Sequence, residues 1–324
     1  MSEIADASDP EAIREAARII RKGGLVAFPT ETVYGLGANA EDAIAVARIF
    51  EAKRRPRIDP LIVHVADAES ARRYGTFPDA ALPLMEKFWP GPLTLVADKT
   101  SLIPSIVTAG LDTVAVRVPA HPAALALIRA AGCAIAAPSA NPFGYVSPTE
   151  AGHVAEQLGS AVDLILDGGP SAVGVESTIL SFEDSGPVVL RVGGTPVEDL
   201  QSVLGRIGIQ IETVSRPSVP GQMKRHYSTM TPLEIIEISE IAAIKSHGER
   251  IGLLTLSLME DASRYAAVEI LSSSGDLREA AAGLFRALRR LDALSLDRIV
   301  ARPVPEKELG LAIMDRLRRC AARD

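Results

Sequence analysis

The sequence alternates short apolar, strand-like runs with amphipathic helical segments from its first residues to about Leu204. Asp9 and Pro10 form an N-cap and first-turn pair for the first helix, and Gly23–Gly24 ends it. The strand-like LVAFPT follows, and later helix and strand pairs include DAIAVARIFEAK with LIVHV and PAALALIRAAG with CAIAAPS. Short β-rich runs interleaved with helices are typical of a layered domain. We therefore predict an α/β fold of the α+β type whose sheet mixes parallel and antiparallel strands.

The pattern changes at residues 213–232, TVSRPSVPGQMKRHYSTMTP, which contain prolines and no apolar period. Such a segment is typical of a linker. Beyond it, LEIIEI, IGLLTLSL and DRIVARPV are typical of strands, and DLREAAAGLFRALRRLDAL and KELGLAIMDRLRRCAA of amphipathic helices. We predict a first domain over residues 1–212, a linker over 213–232 and a smaller α/β domain over 233–324.

The composition limits the class of protein. Of the 324 residues, 47% are hydrophobic, which is enough to bury packed cores. The N-terminus is acidic and amphipathic where a secretory signal needs a basic start, and no apolar run approaches the ~20 residues of a membrane span. We therefore expect a cytoplasmic protein without membrane contact. The formal net charge of −7 predicts weak binding to nucleic acid, because phosphates attract basic surfaces.

A dense positive cluster, KRRPRIDP, interrupts this acidic chain at residues 53–60. Lys53 and Arg55 are two residues apart, and Pro56 biases Arg55 toward an extended backbone, so both cations are able to project from one side. That arrangement suits a small anionic ligand. Cations at the end of a helix also stabilise its dipole, and the cluster alone favours neither interpretation.

Polar residues also stand where predicted strands end. Ser139 and Asn141 in PSANPFG have the same two-residue spacing, and α/β sheets bind ligands at strand ends, so both side chains are able to face one pocket. Ordinary turn formation is the simpler interpretation of each residue alone. Ser147, followed by PTE, fits a capping box that Glu150 closes, which favours a structural role at a helix start. A helix start also binds phosphate, so the two roles are compatible.

Two arginines lie inside apolar strands, where an unpaired charge is costly. Arg117 occurs in TVAVRVP and Arg191 in VVLRVGG, and each requires an anionic partner. A structural ion pair explains either one more often than a ligand does, whereas the two together favour an anion-binding domain. His64, which ends LIVH, is by itself more typical of a buried core residue. The sequence contains no phosphate loop, dinucleotide-binding glycine motif, zinc-protease motif or nucleophile elbow, and no residue stands out as a nucleophile.

Taken in order, several of these stretches resemble the signatures of one family. FPTETVYGLGA, K-x-R-P followed by DPLIVH, FWPGPLTLV, VAVRVP, APSAN, and GVESTI followed by LRVG are similar to the successive motifs of threonylcarbamoyl-AMP synthases with the YrdC-like fold. The resemblance spans about residues 10–204, and PGQMKRHYS with the terminal LGLAIMDRL resembles the long, two-domain form. It implies a three-layer YrdC-like domain with a twisted mixed sheet and a smaller C-terminal Rossmann-like domain.

The resemblance also implies a reaction. L-threonine, bicarbonate and ATP give threonylcarbamoyl-adenylate and pyrophosphate, with Mg²⁺ on the triphosphate and no protein residue predicted as a metal ligand. A threonylcarbamoyltransferase complex then passes the product to tRNA, so we expect weak or no direct tRNA binding by this chain. The linker would fold over the cavity as a lid that keeps water from the product.

The matched motifs imply three sets of site residues. The catalytic set contains Lys53, Arg55, Ser139 and Asn141. The ATP-binding set contains Arg55, Asp59, Thr113, Ser139, Ser147, Arg191 and Tyr227. The threonine-binding set contains Thr32, His64, Arg117, Ala137 and Ser177. In this set, Arg117 suits the threonine carboxylate, and the backbone around Ala137 lies between the two ligands.

The sequence departs from the family pattern at three places. Asp59 stands where Asn is frequent, Pro142–Phe143 follow Asn141 where smaller polar residues are common, and Gln222 interrupts Pro-Gly-Met in the linker. These departures leave open the surroundings of the phosphates, the shape of the nucleotide pocket and the detail of the lid.

Two other functions stay open. An RNA-binding module would bind nucleic acid strongly and in a salt-dependent way, which the acidic composition disfavours. A carbamoyltransferase of the hydrogenase-maturation type uses a related domain, but such proteins carry zinc-finger cysteines, and this sequence has only two cysteines.

Overall fold

The computed structural model describes residues 3–211, 217–223, 227–237, 248–257 and 262–322, which contain two β-sheets. The larger sheet has twelve strands within these residues. They are β1 (Glu3–Asp6), β2 (Val26–Phe28), β3 (Gly35–Asn39), β4 (Ile62–His64), β5 (Gly75–Thr76), β6 (Leu93–Lys99), β7 (Thr113–Arg117), β8 (Ile135–Ala136), β9 (Leu164–Asp167), β10 (Thr178–Glu183), β11 (Gly186–Arg191) and β12 (Gly208–Ile209). Their order is β1-β9-β2-β3-β8-β4-β7-β6-β10-β11-β12, with β5 beside β6.

Parallel and antiparallel pairs mix in this sheet, as the sequence predicts. β4 runs parallel to β7 and antiparallel to β8, and β6 is antiparallel to β7 but parallel to β10. The register places His64 of β4 beside Arg117 of β7 and beside Ile135 of β8. Because a slip of one residue turns a side chain to the opposite face, this register fixes which side chains reach the site.

Helices cover both faces of the larger sheet, which confirms the predicted three layers. Within the described residues they are α1 (Pro10–Arg21), α2 (Ala43–Lys53), α3 (Ala68–Ala71), α4 (Leu82–Phe88), α5 (Pro122–Ala131), α6 (Ala151–Leu158) and α7 (Val197–Leu204). α1 and α5 pack together on one face, in a core cluster with Phe28, Ile135 and Leu164. α2 and α6 bury their apolar side chains in a second cluster with Leu36 and Ala38.

Helix α2 leads directly into the positive cluster. Asp42 caps its start by accepting hydrogen bonds from the backbone N–H groups of Ile44 and Ala45. The helix ends at Lys53, and Arg54 adopts the left-handed conformation, with a φ of 53°. This turn gives Lys53 and Arg55 different directions, although they are only two residues apart.

The predicted capping box at Ser147 is wrong. Helix α6 begins at Ala151, and its N-cap Glu150 makes no side-chain hydrogen bond. Ser147 is buried and donates its hydroxyl to Glu176 Oε1 at 2.6 Å. A hydrogen bond to an ionised carboxylate is stronger than one between neutral groups. Ser147 therefore bonds to Glu176 and does not cap the helix.

Within the described residues, the smaller sheet has four parallel strands, and two α-helices pack on it. The strands are β13 (Leu233–Ile235), β14 (Ile251–Thr255), β15 (Ala267–Ile270) and β16 (Arg298–Ala301), in the order β13-β16-β14-β15. The helices are α8 (Leu277–Asp292) and α9 (Leu309–Ala321). Their buried side chains belong to the same core cluster as those of α2 and α6. One apolar cluster therefore extends from α2 and α6 on the larger sheet to α8 and α9 on the smaller one.

Several predictions fall outside the described residues. These are the boundary between residues 212 and 213, the linker residues 213–216 and 224–226, and the last residues of the predicted strands LEIIEI and IGLLTLSL. Among the helices of the described segments, none combines the length and the apolar character that a membrane crossing requires.

Candidate active site

A cavity open to solvent, with about 530 Å³ of empty space including that at its mouth, lies where the strands of the larger sheet meet the linker. Its walls are formed by Thr30, Thr32, Val33, Gly35, Arg55, Ile62, His64, Arg117, Ala137, Pro138, Ser139, Glu176, Ser177, Arg191, Pro220, Gly221 and Tyr227. The predicted site residues among them are Thr32, Arg55, His64, Arg117, Ala137, Ser139, Ser177, Arg191 and Tyr227. Others of the predicted set are not part of its walls: Lys53, Asp59, Thr113, Asn141 and Ser147.

The turn after β2 points Thr32 into the cavity. Thr30 organises this turn, because its hydroxyl donates to Val33 O at 2.6 Å and accepts from the N–H groups of Thr32 and Val33 at 3.2 Å. Arg117 then donates from Nη1 to Thr32 Oγ1 at 2.9 Å. A threonine of the turn and a cation of β7 are thereby joined on one wall.

Arg117 also has a carboxylate partner within the protein. Its Nη2 lies 2.6 Å from Glu31 Oε1, and its Nε donates to Gly91 O at 3.1 Å. The structural ion pair favoured by the sequence is therefore present, although Arg117 still lines the cavity. Glu31 belongs to the PTETVYG turn but was assigned no role from the sequence, since its partner lies 86 positions further along the chain.

Arg55 lines the cavity while its carboxylate partner stands behind it. Arg55 Nη2 lies 2.9 Å from Asp59 Oδ2 and donates to Pro60 O at 2.8 Å. Both side chains are buried, and burial lowers the pKa of Arg55 and raises that of Asp59. Asp59, the departure from the family pattern, thus contacts the cation next to it and is not part of the cavity wall.

Lys53 holds the loop that carries Ser139. Its Nζ donates to the backbone oxygens of Ser139 and Asn141, and its side chain is 1% exposed. Burial lowers its pKa well below the ordinary value, and the charge of Arg55 lowers it further. Lys53 therefore contacts this loop, whereas the sequence predicted that it projects beside Arg55 toward an anionic ligand.

Ser139 and Asn141 face different surroundings. Ser139 lines the cavity, and its backbone pairs with Gly35 at the start of β3. Asn141 Nδ2 instead donates to Pro142 O at 2.9 Å and Tyr145 O at 2.8 Å. The prediction that both side chains face one pocket is therefore wrong, because Asn141 closes its own loop.

Arg191 and Ser177 form another part of the wall. Arg191 donates from Nε to Ser177 O and from Nη2 to Ser177 Oγ, each at 3.0 Å, and from Nη1 to Pro220 O at 3.3 Å. Ser177 Oγ also hydrogen-bonds Thr94 Oγ1 at 2.7 Å. Burial lowers the pKa of Arg191 to about 10, so the guanidinium remains charged at neutral pH.

Glu176 and Arg316 form an ion pair at the site that the sequence did not predict. Glu176 lines the cavity, and its Oε2 accepts from Arg316 Nε of α9 at 3.0 Å. Arg316 is fully buried, and it follows Leu309 and Ile313 along one face of the helix. An arginine on the apolar stripe of an amphipathic helix is a signal that could have found it.

Tyr227 connects the linker to the cavity, as the lid prediction expects. It is buried, lines the cavity and has a φ of 64°, a conformation that a bulky residue rarely adopts. Its ring stacks on Phe285 of α8 with centroids 5.6 Å apart. Arg316 lies over the same ring at 5.1 Å from the centroid.

Two models of known protein families match this chain. Residues 18–193 match a family model described as Telomere recombination, and residues 195–322 match one described as Threonylcarbamoyl-AMP synthase, C-terminal domain. The chain belongs to the threonylcarbamoyl-AMP synthase family. The resemblance found in the sequence motifs is thereby confirmed, and the two matches together extend through both sheets.

Relatives in this family align over almost the whole chain. A threonylcarbamoyl-AMP synthase of Pyrococcus abyssi is 45% identical over 324 residues, which cover 95% of this chain and 94% of that protein. One of Bacillus subtilis is 46% identical over 327 residues, which cover 97% of this chain and 94% of that protein.

Solved structures agree with the fold. The crystal structure of P. abyssi Sua5 complexed with L-threonine is 42% identical, with a TM-score of 0.91, covering 99% of this chain and 97% of that one. The crystal structure of full-length HypF in a phosphate- and nucleotide-bound form is 21% identical, with a TM-score of 0.51, covering 57% of this chain and 29% of that one. The second likeness shows a common fold alone.

Proposed function

We propose that the protein is an L-threonylcarbamoyladenylate synthase, which converts L-threonine, bicarbonate and ATP into threonylcarbamoyl-AMP and pyrophosphate for the modification of tRNA. The observation that carries this proposal is Arg191. This buried arginine lines the cavity, its described hydrogen bonds go to Ser177 and Pro220, and none of the described ion pairs includes it. An unpaired buried charge is costly, so a site with such a group is suited to an anionic ligand.

The other charges of the cavity wall are already balanced by the protein. Arg55 pairs with Asp59, Arg117 with Glu31, and Glu176 with Arg316. The excess positive charge therefore lies at Arg191, and Arg117 lines the same cavity. An anion placed between them would meet guanidinium groups, which bind carboxylate and phosphate in a forked geometry.

We assign the two substrates to the two sides of the cavity. L-threonine would lie beside Thr32, His64, Arg117, Ala137 and Ser177. ATP would lie beside Arg55, Ser139, Arg191 and Tyr227. Ser147 acts through Glu176, to which it donates, and Lys53 and Asn141 shape the loop that presents Ser139. Asp59 holds Arg55, while Thr113 begins β7 and is not part of the wall.

The chemistry requires placement more than a nucleophile from the protein. The threonine amine attacks the carbon of bicarbonate with loss of water, or that of carbon dioxide derived from it with loss of a proton, and gives a carbamate. A carbamate oxygen then attacks the α-phosphorus of ATP, and the bond to pyrophosphate breaks. Holding three reactants together is able to supply up to about 7–11 kcal/mol, and the guanidinium groups reduce the repulsion between the anions.

Magnesium enters as part of the nucleotide substrate. The carboxylates nearest the cavity, Glu31, Asp59 and Glu176, lie against arginines. Mg²⁺ in nucleotide sites takes most of its ligands from phosphates and water, so Mg·ATP suits this wall without a dedicated protein ligand. The ion would neutralise charge on the triphosphate.

The proposal extends to organisation and partners. Residues 1–212 would form the catalytic unit, residues 213–232 the linker and lid, and residues 233–324 the smaller unit. The enzyme would work in the cytoplasm, bind tRNA weakly or not at all, and supply a threonylcarbamoyltransferase complex.

Pyrophosphate release tests the proposal directly. We expect release from ATP only when both L-threonine and bicarbonate are present, and little release in carbonate-free buffer. Arg191→Met should reduce it strongly, whereas Arg206→Met, a change at an exposed arginine, should not. Release that does not require threonine would instead indicate another acceptor, and tight, salt-dependent tRNA binding without turnover would favour an RNA-binding module.

A further inference from the structure

The smaller unit reaches the wall of the cavity through Arg316. Its guanidinium is 0% exposed, donates from Nε to Glu176 Oε2 at 3.0 Å and from Nη1 to Val192 O at 2.7 Å. Glu176 lines the cavity, and Val192 follows Arg191. A residue of α9 thus fixes both segments that form this wall.

The same guanidinium also supports the linker. It lies over the ring of Tyr227, and Phe285 of α8 stacks on that ring at an interplanar angle of 24°. Tyr227 lines the cavity. Its ring is therefore held by two helices of the smaller unit, by Arg316 of α9 and by Phe285 of α8.

Helix α8 makes two further contacts with the segments behind the wall. Gly174 has a φ of 74°, and a Cβ added to it would lie 2.4 Å from Ala281 O, so the loop before Glu176 lies directly against the helix. Arg289 donates to Val146 O and, at 2.9 Å, to Gln157 Oε1. These contacts hold the two segments that meet in the hydrogen bond between Ser147 and Glu176.

Charge gives this arrangement a specific consequence. Burial alone would raise the pKa of Glu176, but the positive charges of Arg316 and then Arg191 lower it, so the carboxylate is ionised. Without Arg316, a buried and ionised carboxylate would stand on the wall of a cavity that accepts anions. Removing one partner of a buried ion pair leaves an uncompensated charge, whereas removing both does not.

We propose that Arg316 is a positioning residue for the nucleotide: it neutralises Glu176 and fixes Tyr227, so that the smaller unit completes the binding site of the larger one. This inference rests on the proposed function, because it assumes that the anion in the cavity is ATP. It assigns the smaller unit a role in substrate binding, with Arg316 acting through Glu176 and Tyr227.

Four variants of the full chain test this role. Arg316→Met removes the charge, Glu176→Gln removes the charge of its partner on the cavity wall, and the double variant removes both. Asp315, which also pairs with Arg316, keeps Arg319 as a partner in all of them. Arg318→Met is the matched control on the same helix, since Arg318 pairs with Glu306 and both side chains are about half exposed. For each, calorimetry gives the Kd of ATP, pyrophosphate release gives KM for ATP and for L-threonine, and circular dichroism with urea unfolding reports the fold.

We expect Arg316→Met to raise the Kd and KM for ATP by about 10- to 100-fold, the range expected when a site is displaced by about 1 Å. Its KM for L-threonine should change less, because the described hydrogen bonds and ion pairs of Arg316 do not include Arg117. Glu176→Gln in the Arg316→Met background should recover most of the ATP affinity. Arg318→Met should match the wild type.

Two results would overturn the inference: an unchanged Kd for ATP in folded Arg316→Met, or a double variant that binds ATP as weakly as Arg316→Met. If Arg316→Met does not fold, Arg316→Gln decides, because it loses the charge but keeps hydrogen-bond donors; a rise in the Kd of ATP supports the role and an unchanged Kd contradicts it. If the wild type binds ATP but releases no pyrophosphate, the proposed function fails while the ATP affinities still test Arg316.

Discussion

His64 and Arg117 lie side by side in the parallel strands β4 and β7, and both line the cavity. Phe28 meets the imidazole edge to face, with ring centroids 6.1 Å apart. Burial, and then the charge of Arg117, lowers the pKa of His64 to about 3. The imidazole is therefore neutral at physiological pH and adds no charge to the wall that Arg117 provides.

This neutral histidine predicts a pH dependence of stability. The pKa of an unfolded histidine is about 6.5, so below that pH the unfolded state binds a proton that native His64 does not take up until the pH approaches 3. The free energy of unfolding should therefore fall as the pH drops from about 6.5 toward 3, by up to about 1.4 kcal/mol per pH unit. Above pH 6.5 this contribution should vanish.

Urea unfolding of the wild type and of His64→Gln checks the prediction. The difference between their free energies of unfolding should change with pH below about 6.5 and stay constant above it. His153→Gln serves as the comparison, since burial lowers the pKa of His153 to about 4 and its contribution should level off at a higher pH. A pH-independent difference for His64→Gln would mean that the native and unfolded states bind the proton of His64 equally, so that folding does not lower its pKa.

Replacing Arg117 should weaken the binding of L-threonine more than the binding of ATP. Hydrogen bonds to charged groups contribute about 1.5–3 kcal/mol, so Arg117→Met should raise KM for L-threonine roughly 10- to 100-fold. Arg117→Met/Glu31→Gln also removes the unpaired carboxylate and should restore stability without restoring threonine affinity. Steady-state kinetics, with the exposed Arg129→Met as control, measures both constants. Equal losses for the two substrates would contradict the assignment of this wall to threonine.

Removing Lys53 should loosen the loop at Ser139. Lys53→Met leaves the buried oxygens of Ser139 and Asn141 without their donor, which costs about 1–3 kcal/mol of unfolding free energy. We expect a lower kcat with a smaller change in KM for L-threonine, because the loop mispositions ATP. Chemical unfolding and pyrophosphate release give these values, and Lys87→Met, at an exposed lysine of α4, is the control. A stable variant with normal kcat would show that the lysine is dispensable.

Local patterns were sufficient to predict most of the regular structure. Helix α1 has the predicted cap at Asp9, because capping depends on a few adjacent residues, and α2 and α5 lie within the predicted helical segments DAIAVARIFEAK and PAALALIRAAG. β3, with the sequence GLGAN, was not predicted, since its glycines lack the side chains that mark a strand. β15, with the sequence AVEI, is short and partly exposed and was also missed.

The ion-pair partners of the charged residues could not be predicted from the sequence. Motif resemblance brought Arg55, Arg117 and Arg191 to one cavity, but it did not reveal that Glu31 pairs with Arg117. Glu176 and Arg316 are 140 positions apart, and only the docking of α9 brings them together. Lys53 turned inward because α2 ends at it, a detail of backbone geometry that the spacing K-x-R does not contain.

Tyr227 provides a test of the lid. Its ring stacks on Phe285, contacts the guanidinium of Arg316 and lines the cavity on the linker side. Tyr227→Ala removes a stacked pair and a buried cation–π contact, each contributing about 0.5–2 kcal/mol, so KM for ATP should rise about tenfold. Water would also reach the mixed anhydride, and a larger share of the ATP consumed should end as AMP instead of intact threonylcarbamoyl-AMP.

Tyr227→Phe separates the ring from its hydroxyl group. Because phenylalanine keeps the surface that stacks on Phe285 and lies under Arg316, this variant should have a KM for ATP near that of the wild type. Chromatography of the products over time gives the ratio of intact adenylate to AMP for both variants. If Tyr227→Ala keeps the wild-type KM and the wild-type ratio, the cavity is closed by other residues and the lid assignment of Tyr227 is wrong. A loss in Tyr227→Phe equal to that in Tyr227→Ala would place the effect in the hydroxyl group, not in the ring.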